Sequence, residues 1–202
     1  MTSWTVEMLA AQPRWDPARL AAVPGRCRGD LLGPWGDNLT KRFGAAALPR
    51  VRARLVPPLD QMRAVQTSTD WVPEYAQVAV TEAIVDEFLG GDLAALGPLF
   101  VEDARTNVSR MHRLLARSIG ASRAIRIVPK PFRKLYERGS AEATVDGRRG
   151  RLSFSGSVLF ANPTWRVLQL FSVRALLELT GSTGTAVGDD TGADSFAAIV
   201  SW

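Results

Sequence analysis

Apolar residues follow two different periods along this chain, and the change between them falls near residue 140. Before it, apolar side chains recur every three to four residues, which is the spacing of one face of a helix. The segments with this spacing are 28–44, 45–55, 73–89, 93–118 and 122–137. Gly44 and Gly120 stand where helices would end, and Pro129 and Pro131 would kink or split the last segment. The pattern predicts helices for this part of the chain.

After residue 140 apolar and polar residues alternate, which is typical of strands with one buried face. Two alternating stretches, 141–146 and 151–160, are joined through the turn sequence "DGRRG", which favours a β-hairpin. Asn162 and Pro163 suit the start of a helix that is apolar on nearly all sides and therefore central.

That central helix is expected over 163–180, and a final strand over 195–202, with room for a short strand near 185–187. Helices come first and strands follow, with one helix among the strands. We therefore predict an α+β domain whose small antiparallel sheet has the order β-β-α-β.

Residues 1–27 are predicted to be an N-terminal helical extension of a single domain that spans 28–202. Prolines break this segment into short pieces, and Asp16 is placed to cap a helix that starts at Pro17. The segment has too many large apolar side chains for a free tail. These side chains are Trp4, Met8, Leu9, Trp15 and Leu20. We expect the extension to pack on the domain or on a second copy of the chain, which would form a homodimer.

The composition excludes several kinds of metal and redox chemistry. The 202 residues include one cysteine, Cys27, and one histidine, His112. An internal disulfide, a multi-cysteine zinc or iron–sulfur site and the usual multi-histidine metal sites need more of these ligands. A lone cysteine fits a reducing compartment, so we expect a cytoplasmic location and no metal. Arg26 and Arg28 flank Cys27 and could lower the pKa of its thiol, which leaves its reactivity open.

Two further expectations concern membranes and targeting. No apolar stretch reaches the roughly 18 to 20 residues of a membrane span. The N-terminus also lacks the basic and apolar regions of a signal peptide. We therefore expect no membrane span and no secretion.

Positive charge is concentrated between residues 105 and 151. This segment holds thirteen Lys and Arg residues against three acids, while the whole chain has a net charge of +5. The candidate patch for an anion or a partner consists of Arg110, Arg113, Arg117, Lys130, Arg133 and Lys134. Such a field attracts nucleic acid, an anionic surface or an acidic partner, and a plain solvated surface is the alternative. No nucleic-acid-binding motif accompanies it.

Four stretches in a fixed order carry a family resemblance, and they are "RGDLL…RFG" at 28–44, "FLGGDLAALGPLF" at 88–100, "FRKLYERG" at 132–139 and the hairpin–helix–strand end. They resemble the haem nitric-oxide/oxygen-binding (H-NOX) domain and its four-vinyl-reductase-like relatives, and most of all a set of uncharacterised myxobacterial paralogues. The resemblance implies a ligand pocket between the helical half and the sheet. H-NOX domains bind a haem whose iron is held by a histidine upstream of the sheet. The resemblance therefore also implies such a haem here.

His112 is the haem ligand that this resemblance implies, but its surroundings favour an ordinary histidine. On a helical wheel it lies at the rim of the apolar face centred near Met111. The family's haem-propionate motif, Tyr-x-Ser-x-Arg, has its nearest match in the stretch "LSFSG" at 152–156, which lacks both the Tyr and the Arg. We expect no cofactor, and haem bound by His112 is the alternative.

The same helical wheel places Leu115 near the centre of the apolar face. Leu115→Ala is therefore expected to cost about 2–5 kcal/mol through the cavity it would leave. His112→Ala is expected to leave the fold and the visible spectrum unchanged.

The function that these observations favour is a non-enzymatic sensory or adaptor module. Serine-based catalysis needs a general base that one histidine scarcely provides, so no catalytic residue is assigned. The module would bind a small ligand or a protein partner. The candidate pocket walls are Leu152, Phe154, Trp165, Leu168 and Phe171. Nucleic-acid or anionic-surface binding and haem-based gas sensing are the alternatives.

Overall fold

The computed structural model describes residues 3–107, 110–190 and 192–202, and residues 104–107, 110–113 and 190 are described by their backbone alone. These residues fall into two compact units. The sheet unit comprises 3–14, 94–133 and 139–202, and the helical unit comprises 15–93 and 134–138. The predicted boundary at residue 27 lies inside the helical unit, so the division into an extension and one domain stays a prediction.

Within the described residues, the helices are α1 Val6–Ala10, α2 Pro17–Ala21, α3 Trp35–Phe43, α4 Ala47–Arg52, α5 Ala76–Phe88, α6 Leu96–Asn107, α7 Arg110–Ile127, α8 Pro129–Leu135 and α9 Pro163–Leu179. The strands are β1 Arg26–Arg28, β2 Trp71–Pro73, β3 Ser140–Asp146, β4 Arg149–Ser155, β5 Thr185–Asp190 and β6 Ser195–Ser201. Helices dominate before residue 140 and strands after it, so the predicted α+β class is confirmed.

The helical unit is built from short elements with well-defined ends. The Asp16 carboxylate accepts a hydrogen bond from the Arg19 backbone N–H at 2.8 Å, which caps α2 as predicted. Gly44 follows α3 with a φ of +88°, a backbone conformation that favours glycine, and so ends the helix where predicted. Strands β1 and β2 form an antiparallel pair that was not predicted, because three residues are too few to show alternation.

The sheet unit contains a four-stranded antiparallel sheet in the order β3-β4-β6-β5. The hairpin of β3 and β4 is confirmed, with Ala141 paired to Phe154 and Asp146 paired to Arg149. Strand β5 extends the short strand near 185–187 to Asp190, which makes the chain order β-β-α-β-β. The end strand β5 also receives the N-terminal segment, because Trp4 and Gly188 exchange backbone hydrogen bonds of 2.8 and 2.7 Å.

Helix α9 is the central element of the sheet unit, as its all-round apolar sequence predicted. The Asn162 side-chain oxygen accepts from the Trp165 backbone N–H at 2.9 Å, and Pro163 is the first helical residue, so the predicted start is confirmed. Helix α6 packs closely along α9 at Gly97, where a Cβ atom would lie 2.8 Å from Phe171 Cε1. The close approach of the two helices therefore depends on that glycine.

The apolar side chains of the N-terminal segment are only partly covered. Leu9 in the sheet unit and Leu20 in the helical unit are buried, as predicted. Met8 is 42% exposed, so it is not covered within the chain, and its packing on a second copy stays a prediction. Helix α1 turns Val6 and Leu9 inward, which leaves Met8 on its outer side.

The place that the helical wheel gave to Leu115 is wrong. The described parts of this stretch are helical over Leu96–Asn107 and from Arg110 onward, and Gly120, with a φ of +69°, interrupts the helix where its end was predicted. Leu115 is 54% exposed rather than central, whereas Ala124 and Ile125 beyond the kink are buried.

Candidate functional site

The five side chains predicted to line a ligand pocket lie in the core of the sheet unit. Leu152 and Phe154 project inward from β4, and Trp165, Leu168 and Phe171 project from α9, all of them buried. Trp165 stacks on Phe160 with ring centroids 4.4 Å apart and meets Phe154 edge-on at 5.3 Å. These side chains contact one another as a packed core does. Their role as pocket walls stays a prediction.

The predicted basic patch is spread over two helices. Arg117 on α7 and Lys130, Arg133 and Lys134 on α8 are exposed. Arg110, Arg113 and His112 belong to α7 by their backbone, and their side chains lie outside the described residues. Other cations of the 105–151 segment make contacts within the protein, and Arg126 donates to the Val145 carbonyl at 3.1 Å.

A cleft of about 1000 Å³ opens in the sheet unit beside the C-terminal end of α9. One wall is the polar side of α9, where Arg174 and Glu178 lie four residues apart. The remaining lining residues are Leu177 and Leu179 on α9, Val101 on α6, Arg117 on α7, and Gly181, Ser182, Thr183 and Gly184 in the loop after α9. Of the predicted patch, Arg117 is the residue that this cleft includes.

The shape of the cleft follows from how α9 ends. The Thr180 hydroxyl donates to the Leu177 carbonyl at 2.7 Å, and the Ser182 backbone N–H donates to the same carbonyl at 3.0 Å. Gly181 lies between them with a φ of +75°, which turns the chain away from the helix axis. The last carbonyls of α9 are thereby bonded within the protein, and the loop 181–184 is held as a wall.

The charge lining the cleft is mainly positive. Arg117 and Arg174 carry two guanidinium groups against the single carboxylate of Glu178. The field of Arg174 also reaches α1, because it adds to the lowering of the Glu7 pKa that a backbone hydrogen bond and the Thr5 hydroxyl chiefly cause. Two guanidiniums at the mouth of a partly apolar cleft suit a carboxylate or phosphate, for which arginine offers paired donors.

Sequence patterning gave no hint of this cleft except at one point. Arg174 and Glu178 are charged residues within a helix that is otherwise almost entirely apolar, and their spacing puts them on one side of it. The loop 181–184 looked like an ordinary glycine-rich connection. Its position against α7 arises only from tertiary packing.

Cys27 is not available as a reactive thiol in this structure. Its side chain is fully buried, and burial raises the pKa of the thiol to about 12, with the charges of Glu74 and Asp30 adding to the effect. Arg26 and Arg28 could have lowered this pKa, but desolvation outweighs the neighbouring cations. The thiol instead faces the Pro73 carbonyl at 3.6 Å.

The residues described at the implied haem-propionate position do not fit that group. Strand β4 turns Leu152 and Phe154 into the core. Leu152 stands where the motif has its tyrosine and Phe154 where it has its serine, and Gly156, just after the strand, stands where it has its arginine. Among the described residues, no cluster of three His, Cys, Asp or Glu side chains could hold a metal ion. A search of the same residues also finds no helix that is long and apolar enough to cross a membrane.

Solved H-NOX structures share this fold at very low sequence identity. An Fe(II) unliganded H-NOX mutant from K. algicida matches with a TM-score of 0.63 at 11% identity, over 86% of this chain and 95% of its own. A Cs H-NOX carrying 4-cyano-L-phenylalanine matches with a TM-score of 0.60 at 7% identity, over 86% and 95%. A structure from a study of haem distortion in the H-NOX family matches with a TM-score of 0.56 at 9% identity, over 87% and 94%.

Comparison by sequence finds no such likeness. No protein-family model matches the chain. No curated protein matches it either. The α+β fold is H-NOX-like, and the likeness is one of fold alone.

Proposed function

We propose that this chain is a non-enzymatic sensory or adaptor module that binds an acidic segment of a protein partner in the cleft beside α9. The observation that carries the proposal is that Arg117 and Arg174 both line a cleft of about 1000 Å³. Its volume lies at the upper end of the range for small-molecule pockets, which favours a polypeptide segment over a compact ligand.

Exposed apolar surface next to the arginines supports a protein partner. Leu114 and Leu115 on α7 are 59% and 54% exposed, three and two residues before Arg117. Val101 and Leu179, both half-buried, add apolar surface inside the cleft. A partner segment that combines carboxylates with leucine-like side chains would match both features.

The H-NOX-like fold makes haem the main competing cofactor, and we propose that this chain functions without it. Support comes from Leu152 and Phe154, which occupy the propionate positions with buried apolar side chains. The absorbance of protein expressed with a haem precursor tests this point. A Soret band that is lost in His112→Ala would replace the adaptor proposal with a gas sensor.

The central experiment measures fluorescence anisotropy of a labelled peptide built from Glu and Leu residues. Wild-type protein should bind it, and Arg174→Glu and Arg117→Glu should each weaken binding at least about tenfold by reversing a contacting charge. Arg133→Glu is the matched control, because Arg133 is exposed on α8 and does not line the cleft. Equal weakening in all three variants would show a general charge effect and would contradict the cleft as the site.

Native mass spectrometry separates the two forms of the proposal. A freshly purified protein with a clean apo mass supports the adaptor, and a bound small molecule supports a ligand sensor.

Nucleic-acid binding through the 105–151 segment is the alternative, and it predicts DNA affinity that falls steeply with salt. Arg126 already bonds within the protein, as Arg151 does with Asp189, which leaves fewer cations for a phosphate backbone.

Three further points belong to the same proposal. We infer a cytoplasmic protein of the myxobacterial paralogous set, because of the stretches at 28–44, 88–100 and 132–139. A homodimer through the N-terminal segment would leave Met8 as a contact residue, since it is the exposed member of that segment's large apolar side chains in α1. Light scattering on wild-type and Met8→Glu protein tests the dimer.

A further inference from the structure

The helical unit contains a second cavity that the proposed function does not use. It has a volume of about 280 Å³ and lies between α2, α5 and the segment that follows α4. Its lining consists mostly of apolar side chains with charged groups among them, namely Trp15, Pro17, Leu20, Arg54, Leu55, Val56, Tyr75, Ala79, Glu82, Ala83 and Asp86.

Local structure explains why this space stays open. The Asp16 cap and Pro17 start α2 directly after Trp15, which sets the indole beside the new helix. The Arg19 guanidinium lies 4.0 Å from the centroid of the Trp15 ring, so the ring is held as a wall. On α5 the facing positions 79 and 83 are alanines, whose small side chains do not reach across the gap.

Tyr75 gives the cavity a polar group with no partner. The residue is 6% exposed and lines the cavity, and no described residue hydrogen-bonds to its hydroxyl. Burial raises the pKa of this hydroxyl, so it remains a neutral O–H group at physiological pH. The hydroxyl oxygen is not sealed from solvent, so a ligand that enters the cavity can hydrogen-bond to it.

Charges of both signs surround the apolar walls. Arg54 lies in the lining and is held by an ion pair with Glu87, while Glu82 and Asp86 contribute carboxylates. Glu82 and Asp86 also have partners, so the charged groups of the lining are already engaged within the protein. Together with the small volume, this favours a neutral molecule of about ten non-hydrogen atoms.

We propose that this cavity binds a small neutral aromatic molecule bearing one hydrogen-bonding group, which pairs with the Tyr75 hydroxyl while its ring lies against Trp15, Leu20 and Leu55. The phenol and indole classes meet this description. The site is in the helical unit and the cleft is in the sheet unit, so either assignment can fail without the other.

The test compares 4-methylphenol with toluene, which has the same ring and methyl group but no hydroxyl, by ligand-observed NMR titration of the full chain. Wild-type protein should prefer 4-methylphenol by about tenfold, the worth of one buried hydrogen bond. Tyr75→Phe should abolish that preference while toluene binding stays unchanged. Tyr136→Phe, the same substitution at the other buried tyrosine, should keep the preference.

A second variant tests the location of the site. Ala79→Leu fills the cavity from a half-buried position that tolerates a larger side chain, and it should abolish binding of both probes. Circular dichroism confirms that the variant folds, and its acidic-peptide affinity at the cleft should match wild type. Absence of 4-methylphenol binding by wild type, or a preference that survives in Tyr75→Phe, would overturn the proposal.

Discussion

In the sheet unit Trp165, Phe154 and Phe160 are at most 3% exposed and touch one another, whereas in the helical unit Trp71 is 39% exposed and lies beside two arginines. The Arg28 guanidinium sits 4.0 Å from the centroid of the Trp71 ring and that of Arg26 sits 5.4 Å away. The aromatic rings of these three residues thus pack together in the interior of the sheet unit. The helical unit also buries Trp35 and Tyr75, but its Trp71 is exposed and its Phe88 is half-buried, each beside an arginine.

The same contrast holds for stacked pairs. Phe43 and Phe88 in the helical unit stack with centroids 4.2 Å apart, and the Arg50 guanidinium lies 5.0 Å from the Phe88 ring. Helices as short as α3 and α4 bury little area, so arginine stems extend the apolar cover at their edges. The stability of the sheet unit therefore depends on the packing density of its core, and that of the helical unit on charged side chains at its margin.

The largest expected effect comes from removing an aromatic ring in each unit. Trp165→Ala should cost about 3–5 kcal/mol, because a fully buried ring leaves a cavity that its neighbours cannot fill. Trp71→Ala should cost less than about 1 kcal/mol, the scale of an exposed cation–π contact. Urea unfolding followed by circular dichroism measures both, and equal losses would break the comparison.

Removing a helix cap should also cost more stability in the sheet unit than in the helical unit. Asn162→Ala should cost about 2 kcal/mol, since Asn162 is fully buried at the start of the central helix, and Asp16→Ala nearer 0.5 kcal/mol at the exposed start of α2. Thermal unfolding tests this difference. Asn162→Ser keeps a capping oxygen and serves as the control that should retain most of the stability.

Lowering the pH should destabilise the helical unit, because it weakens an ion pair that arginine makes there. The pKa of the Glu87 carboxyl is lowered by hydrogen bonds from Arg54 and Arg50, in that order of size. A lowered folded-state pKa adds stability above the unfolded-state value, and this stability is lost as pH falls through the folded-state value. Between about pH 5 and pH 3, wild type should therefore lose more stability than Glu87→Gln. Parallel pH curves would contradict the role of this pair.

The smallest effect is expected at Leu115, where the sequence had predicted a large one. Leu115→Ala should change the free energy of unfolding by less than about 0.5 kcal/mol, because the side chain is exposed. Leu168→Ala, at a buried position of α9, is the matched control and should cost about 2–5 kcal/mol. A loss at Leu115 as large as at Leu168 would mean that a partner or a second copy covers α7.

The sequence was enough to place a helix end where the residues that begin or end the helix lie next to it in the chain. Asn162 and Pro163 start α9, Asp16 starts α2, and Gly44 ends α3, all as the sequence indicated. Capping acts over three or four residues, so a short stretch contains the whole interaction. The H-NOX-like fold class was predictable for the same reason, since it follows from the order of such elements.

The candidate sites were less predictable because they combine distant parts of the chain. Arg117 and Arg174 meet at the cleft although 57 positions separate them, and Trp15 faces Ala83 across the second cavity. The five predicted pocket residues were chosen for apolar character, which core and pocket positions share. Leu115 was misplaced because the apolar pattern of a helix does not show which of its faces the rest of the protein covers.

The bond pair between Trp4 and Gly188 has a consequence for how separate molecules behave toward one another. Strand β5 ends the sheet, and an open end strand offers its free N–H and C=O groups to any other extended chain. Trp4 occupies two of these groups, and a side chain at 188 would meet both Trp4 and Phe196. The N-terminal segment thus shields the β5 edge of the sheet from strand-to-strand polymerisation. Trimming it in a recombinant protein should promote aggregation.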